Sequence, residues 1–250
     1  MKINIITGAS RGLGRSMALH LADKGQDSII TYHANKAAAD EVVKAIAAKG
    51  RKAVALQLDV SKPATFDAFL AEIKSALANT WQRDTFDHLI NNAGTGMYVP
   101  IKDVTEERFD EIMTIHLKAP YFLTQKLLPN MADGGRIINV SSGLARFSHP
   151  GSSTYAMMKG GIEVFTRYLA KELGPRRITA NTLAPGAIET DFGGGRTRDN
   201  KEINALIAGQ TALGRVGLPD DIGALAAAML SDDFRWVNGQ RVEASGGIYL

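Results

Sequence analysis

The chain has 250 residues, 45% of them hydrophobic and 22% charged, enough to bury a full core in one α/β domain. Its 29 basic and 26 acidic residues leave a net charge of +3, scattered without a basic stripe, which argues against nucleic acid binding. Without cysteine there is no disulfide framework and no thiolate chemistry. No apolar run reaches the ~18 residues of a membrane span, and residues 1–8 enter a strand directly instead of forming a signal peptide, so the expected location is cytoplasmic.

The first strand candidate, Ile3–Ile6, ends in Thr7-Gly8-Ala9-Ser10-Arg11-Gly12-Leu13-Gly14, and a helical pattern follows over 12–24. Glycines permit a tight turn and close backbone approach, and the free N–H groups of a helix N-terminus suit a pyrophosphate. Gly8, Ser10, Arg11, Gly12, Leu13 and Gly14 are therefore placed against a dinucleotide, although the spacing is G-x-x-x-G-x-G and not the commoner G-x-G-x-x-G. The second strand, Ser28–Tyr32, continues into His33-Ala34-Asn35-Lys36 with no carboxylate before Asp40. A carboxylate at that tip would bond the ribose 2′-hydroxyl and repel a 2′-phosphate. Its absence, with Arg11, His33 and Lys36 at hand, favours NADP(H) over NAD(H).

Further along, helical patterns at 36–49, 64–78, 105–131, 153–173 and 219–230 alternate with strands Ala53–Leu58, Asp87–Ile90, Arg136–Val140, Ile178–Leu183 and one near Arg241–Glu243. Such alternation predicts a Rossmann-type α/β fold: one doubly wound parallel sheet of about seven strands, helices on both faces, and a single domain over 1–250. Segment 187–210, with Gly193-Gly194-Gly195, follows a strand's carboxyl end at the ligand mouth. It is either a glycine-hinged substrate lid or an ordinary long surface loop.

Tyr155 and Lys159 lie at i and i+4 on a helix and face the same way, with Ser142 thirteen residues earlier. A nearby ammonium is expected to lower a phenol's pKa from ~10 and let it exchange a proton with an alcohol oxygen. Beside a cofactor loop, this predicts hydride transfer coupled to proton transfer. A serine hydrolase is excluded, since Val140-Ser141-Ser142-Gly143 lacks a G-x-S-x-G elbow. The five histidines (20, 33, 88, 116 and 149) show no ligand spacing, so no metal is expected. Met157-Met158, directly after the tyrosine, reads as packing filler, although one of them could face the substrate mouth.

These residues together resemble the short-chain dehydrogenase/reductase family over essentially the whole chain, in a form similar to the 3-oxoacyl-acyl-carrier-protein reductases. Thr7–Gly14 matches its TGxxxGxG loop, Asp59-Val60 its adenine contact and Asn91-Asn92-Ala93-Gly94 its NNAG signature. Ser142, Tyr155 and Lys159 match its catalytic serine and YxxxK pair. Pro185-Gly186, with Ile188 and Thr190, is similar to its nicotinamide-carboxamide segment. The resemblance implies that Tyr155 is the acid/base and that Ser142, not Ser141, orients the substrate oxygen. It also implies that Lys159 lowers the tyrosine pKa, and that Tyr155 and Lys159 lie against the cofactor, the lysine through the nicotinamide ribose. Asn91, Ala93 and Gly94 would line the adenosine and ribose side. A homotetramer or dimer built on helices 105–131 and 153–173 is implied too.

Two positions depart from the pattern. His116 stands where the family has a relay asparagine; it either joins the proton chain, since imidazole titrates near neutrality, or is a packed, hydrogen-bonded histidine. Ala244-Ser245-Gly246-Gly247 replaces Asp-Gly-Gly and changes a structural polar contact. The expected activity is an NADP(H)-dependent carbonyl reductase acting on a small-molecule ketone, with a 3-oxoacyl thioester as the specific guess. The alternative is an NADP(H)-binding sensor with little or no turnover.

Overall fold

In the computed structural model, which describes residues 1–250, seven strands form one sheet. They are β1 (Ile3–Ile6), β2 (Asp27–Tyr32), β3 (Ala53–Gln57), β4 (Phe86–Asn91), β5 (Met131–Val140), β6 (Thr179–Pro185) and β7 (Arg241–Ala244). The order is β3-β2-β1-β4-β5-β6-β7, and every neighbouring pair is parallel. The order reverses between β1 and β4, which opens a crevice beyond the carboxyl ends of those two strands.

Paired apolar residues along the strands serve both faces. Ile5, Ile29, Leu89 and Ile137 enter one core, while Ile6, Ile30, Ile90 and Ile138, each one residue later, enter the other. Fully burying such a side chain contributes about 2 kcal/mol. The first core is closed by α3 (Phe66–Trp81), α5 (Ala119–Leu127) and α6 (Ser153–Glu172), the second by α1 (Gly12–Asp23), α2 (Lys36–Ala48) and α9 (Pro219–Met229). No helix is long and apolar enough to cross a membrane.

The expected continuous helix over 105–131 is interrupted. It consists of α4 (Glu106–Met113), a π-helical turn at Thr114–Lys118, α5 and a 3-10 turn ending at Asn130, and β5 already begins at Met131. One i→i+5 turn admits an extra residue and rotates the side chains around it, and such turns concentrate at functional sites. Here the turn carries His116 into the interior. Segment 187–210 also holds more structure than a loop: a 3-10 turn at Phe192–Gly195, α7 (Arg196–Asp199) and α8 (Lys201–Gly209).

Candidate active site

The loop after β1 is fastened to the loop after β4 by one hydroxyl. Thr7 Oγ1 accepts from the backbone N–H groups of Asn92 (2.9 Å) and Ala93 (3.0 Å). The Asn92 amide in turn donates to the carbonyls of Thr7 (2.9 Å) and Gly8 (3.1 Å). Gly8 has φ +66°, and a Cβ there would lie 2.8 Å from the Ala93 backbone, so both conformation and space demand glycine. At the N-terminus of α1, Arg11 offers no side-chain cap and the first turn has no acidic residue. Uncapped N–H groups on a positive dipole end fit a pyrophosphate. Ser10, Gly12 and Leu13 are half-buried around this turn, and Gly14 packs beneath it.

The expected role of Asn91 requires correction. Its side chain is buried and donates to Thr124 Oγ1 (2.9 Å) and Asn139 Oδ1 (2.8 Å), which ties β4 to α5 and β5. The neighbouring Asn92, which alternation turns the other way, is the one that supports the glycine loop. Ala93 and Gly94 stay at the crevice: Ala93 touches the glycine loop, and Gly94 backs onto His116.

Ser142 follows β5 directly, and Tyr155 and Lys159 occupy the first two turns of α6. Tyr155 and Lys159 are both buried, and the lysine Nζ lies 5.4 Å from the tyrosine ring centre. That ammonium donates to the Val140 carbonyl at 2.8 Å, which fixes α6 against β5. Ser142 Oγ accepts from Leu144 N–H at 3.2 Å and acts on the Tyr155 hydroxyl, lowering its pKa. Ser141 points away, to Glu163 Oε1 at 2.8 Å and the Lys159 carbonyl at 3.3 Å, so Ser142 alone faces the tyrosine.

The expected lowering of the tyrosine pKa by the lysine is not found. Burial pushes the Tyr155 hydroxyl above the ordinary phenol range, Tyr98 adds to the rise, and Ser142 opposes it. Burial also pulls Lys159 down to about 7, which weakens the charge that was expected to act on the phenol. Tyr155 is thus held as a neutral phenol, the form that gives a proton.

His116 is 1% exposed, and its ring stands edge-to-face on Tyr155 with centroids 5.0 Å apart. Nε2 lies 2.7 Å from the Thr95 carbonyl oxygen and 3.2 Å from the Thr95 N–H; the shorter contact favours a proton on Nε2, and Nδ1 is buried without a partner. Burial, reinforced by the Lys159 charge and opposed by the bond to Thr95, lowers His116 to about 3. The expectation that it titrates near neutrality is therefore corrected: His116 is a packed, hydrogen-bonded, neutral imidazole beside Tyr155. No group of three His, Asp or Glu could hold a metal ion.

Around the mouth, Phe192 from segment 187–210 lies 5.9 Å from the Tyr155 ring centre, and Tyr98 stacks edge-on with His149 at 6.5 Å. A Cβ on Gly193 would lie 3.5 Å from the Tyr98 ring, so segment and loop meet above the tyrosine. Met157 is exposed, whereas Met158 packs with Met97 and Ile112. Pro185 and Gly186 close β6, with Gly186 tight against Ser245. Ile188 bridges to Gly217, and Thr190, which faces Gly12, accepts from Phe192 N–H.

The three candidate phosphate cations each meet a carboxylate. Arg11 reaches Asp191 at 3.5 Å, His33 reaches Asp59 at 3.6 Å and Lys36 reaches Asp40 at 2.7 Å. All three are largely exposed and can exchange these partners at little cost. Val60 packs half-buried beside Asp59 against the α3 core.

Known proteins resemble the chain over nearly its whole length. The family model described as enoyl-(acyl carrier protein) reductase matches residues 8–249. Tetrahydroxynaphthalene reductase PfmaG of Pestalotiopsis fici is 36% identical over 257 residues, covering 98% of this chain and 91% of its own. Among solved structures, LugOII, a promiscuous reductase that catalyses keto-reduction at C1 during lugdunomycin biosynthesis, superposes with a TM-score of 0.95 at 37% identity, covering 100% of this chain and 98% of its own. The angucycline C-6 ketoreductase LanV with bound NADP gives 0.94 at 35% identity, covering 99% and 95%.

Proposed function

The chain belongs to the short-chain dehydrogenase/reductase family, and from that premise we propose that it is an NADP(H)-dependent ketoreductase with Tyr155 as proton donor. The observation that carries this reading is the buried Tyr155 with Lys159 5.4 Å from its ring, beside Ser142, at the mouth of a crevice whose glycine loop fits a dinucleotide. The dinucleotide, when bound, supplies the hydride that reaches the carbonyl carbon. Ser142 holds the carbonyl oxygen and stabilises the charge that develops on it. Tyr155 gives that oxygen its proton and so completes the alcohol. Lys159, anchored on the Val140 carbonyl, keeps α6 in register with β5 and lies against the tyrosine that must be reprotonated. Arg11, with His33, supports NADP(H) over NAD(H), as does the NADP bound to LanV.

For the substrate we infer a ketone on a flat aromatic ring system. Tyr98, Phe192 and His149 supply aromatic walls near the acid, and similar proteins act on hydroxynaphthalene and angucycline rings. A 3-oxoacyl thioester is the second reading, favoured by the acyl-carrier description of the matching family model. Segment 187–210 acts as the lid in either case. Exposed Tyr121, Phe122, Val164 and Tyr168 on α5 and α6 support pairing of two copies through these helices.

The test follows NADPH and NADH oxidation with a tetralone, a hydroxylated naphthoquinone and an acetoacetyl thioester. Turnover of the ring ketones with NADPH is expected. Turnover of the thioester alone would replace the aromatic reading. Tight NADPH binding without oxidation across the panel would identify a sensor instead.

A further inference from the structure

A cluster of charged side chains outside the proton-transfer trio spans three elements. Arg241, on β7, directs its guanidinium across β6. Its Nε donates to Glu163 Oε1 at 2.8 Å, one NH to Glu243 Oε2 at 2.6 Å and the other to the main-chain carbonyl of Ser142 at 3.3 Å. Glu163 lies one helical turn beyond Lys159 on α6 and also accepts the Ser141 hydroxyl at 2.8 Å. Ser141 touches the Lys159 carbonyl as well. Glu243 is fixed from its far side by Arg146 at 2.7 and 2.8 Å and by Ser245 at 2.6 Å. The Arg241, Glu163 and Glu243 side chains are mostly shielded from water.

The chemistry needs two elements in register, because Ser142 follows β5 while Tyr155 and Lys159 ride on α6. Arg241 touches both the carbonyl of the catalytic serine and the helix that carries the catalytic tyrosine and lysine. A planar guanidinium can hold three acceptors in a fixed fork, which an ammonium cannot reproduce. We propose that Arg241, acting through Glu163 and Ser141, is a positioning residue that sets the distance from Ser142 to Tyr155. The last strand thereby takes part in the reaction without touching substrate. Ser141, unsuited to catalysis by its direction, acquires a function in the same network. This inference rests on the ketoreductase reading above.

Arg241→Met is compared with wild type, using NADPH and a tetralone. Misplacing reacting groups by a fraction of an ångström supports an expected kcat loss of about tenfold, with KM for NADPH within about twofold. The isotope effect on kcat from NADPH deuterated at the transferred position is expected to rise, as hydride transfer becomes slower than the other steps. Combining Arg241→Met with Ser141→Ala should cost less than the product of the two single losses, because both act through Glu163. Where Arg241→Met does not fold, Glu163→Gln gives the same readouts. A folded variant with wild-type kcat and isotope effect overturns the proposal, as does a kcat loss matched by the lost folded fraction. A wild-type chain that reduces no ketone overturns the ketoreductase reading and this one with it. Wild-type turnover beside an unaltered variant overturns only the positioning role.

Discussion

The β5–α6 platform and segment 187–210 meet over Tyr155 but are built in opposite ways. On the platform, α6 alone buries eight residues, two of them Tyr155 and Lys159, and polar groups from Ser141 to Thr166 are spent on hydrogen bonds between helix and strand. In the segment only Thr190 and Gly195 are buried, α8 buries nothing, and its ion pairs, such as Arg198 with Asp191, lie at the surface. Buried, bonded groups hold a geometry, whereas exposed helices on glycine hinges can rearrange around a ligand. On the proposed ketoreductase reading, the reaction belongs to the platform and the choice of substrate to the segment.

The sharpest break of that division is Tyr155→Phe, which removes one hydroxyl and keeps the packing against His116 and Phe192. Loss of a general acid predicts a fall in kcat of about a thousandfold. NADPH affinity, followed by the quenching of Trp81 and Trp236 fluorescence, should stay within about twofold, since the glycine loop proposed to hold the pyrophosphate is untouched. Unchanged turnover would remove the tyrosine from the mechanism.

The same division governs what was legible in the residues alone. The glycine loop could be read because Gly8 is demanded by backbone geometry, and β1, β2 and β5 because paired isoleucines mark strands with two buried faces. The tyrosine–lysine pair followed from helical spacing. The π turn did not, because one inserted residue leaves the apolar pattern of 105–131 almost unaltered. Asn91 and Asn92 are chemically identical, and only the strand's alternation tells which one faces the loop. The directions of the Tyr155 and His116 shifts depend on burial, which adjacent charges in a sequence do not reveal. Arg241 and Glu163, 78 residues apart, show no local sign of their contact.

Platform burial should also appear as pH dependence of stability. His116 and His88 are held neutral, at about 3 and about 4, mainly by desolvation, against an ordinary value of 6.5. Below pH 6.5 the unfolded chain takes up protons that the folded chain refuses, so stability falls as pH drops and the loss levels off only below about 3. Urea midpoints measured from pH 7 to pH 4 should decrease. His116→Asn should flatten that decrease by on the order of 2 kcal/mol. An equal slope in both chains would show that the imidazole is solvated.

Arg11 stands at the border of the two regions, with its glycine loop on the platform side and its partner Asp191 in the segment. The side chain is 71% exposed, so its ion pair adds little to stability. Arg11→Ala should leave the melting temperature unchanged and weaken NADPH by about tenfold through the lost charge-assisted bonds. NADH affinity should change by less than about twofold. Equal losses for both dinucleotides would move the 2′-phosphate contact to His33 or Lys36.

The smallest change tests the segment itself. Phe192 is exposed on one side and packs its ring at 5.9 Å from that of Tyr155, so its aromatic contact is available to a flat substrate entering between them. An aromatic pair is worth about 1 kcal/mol beyond simple burial. Phe192→Ala should therefore raise KM for a tetralone or naphthoquinone by about fivefold and leave kcat close to wild type. Reduction of a small aliphatic ketone, which has no ring to stack, should hardly respond. If kcat falls for both substrates alike, Phe192 belongs to the platform that orients Tyr155, and the boundary between reaction and selection lies further out along the segment, toward α8.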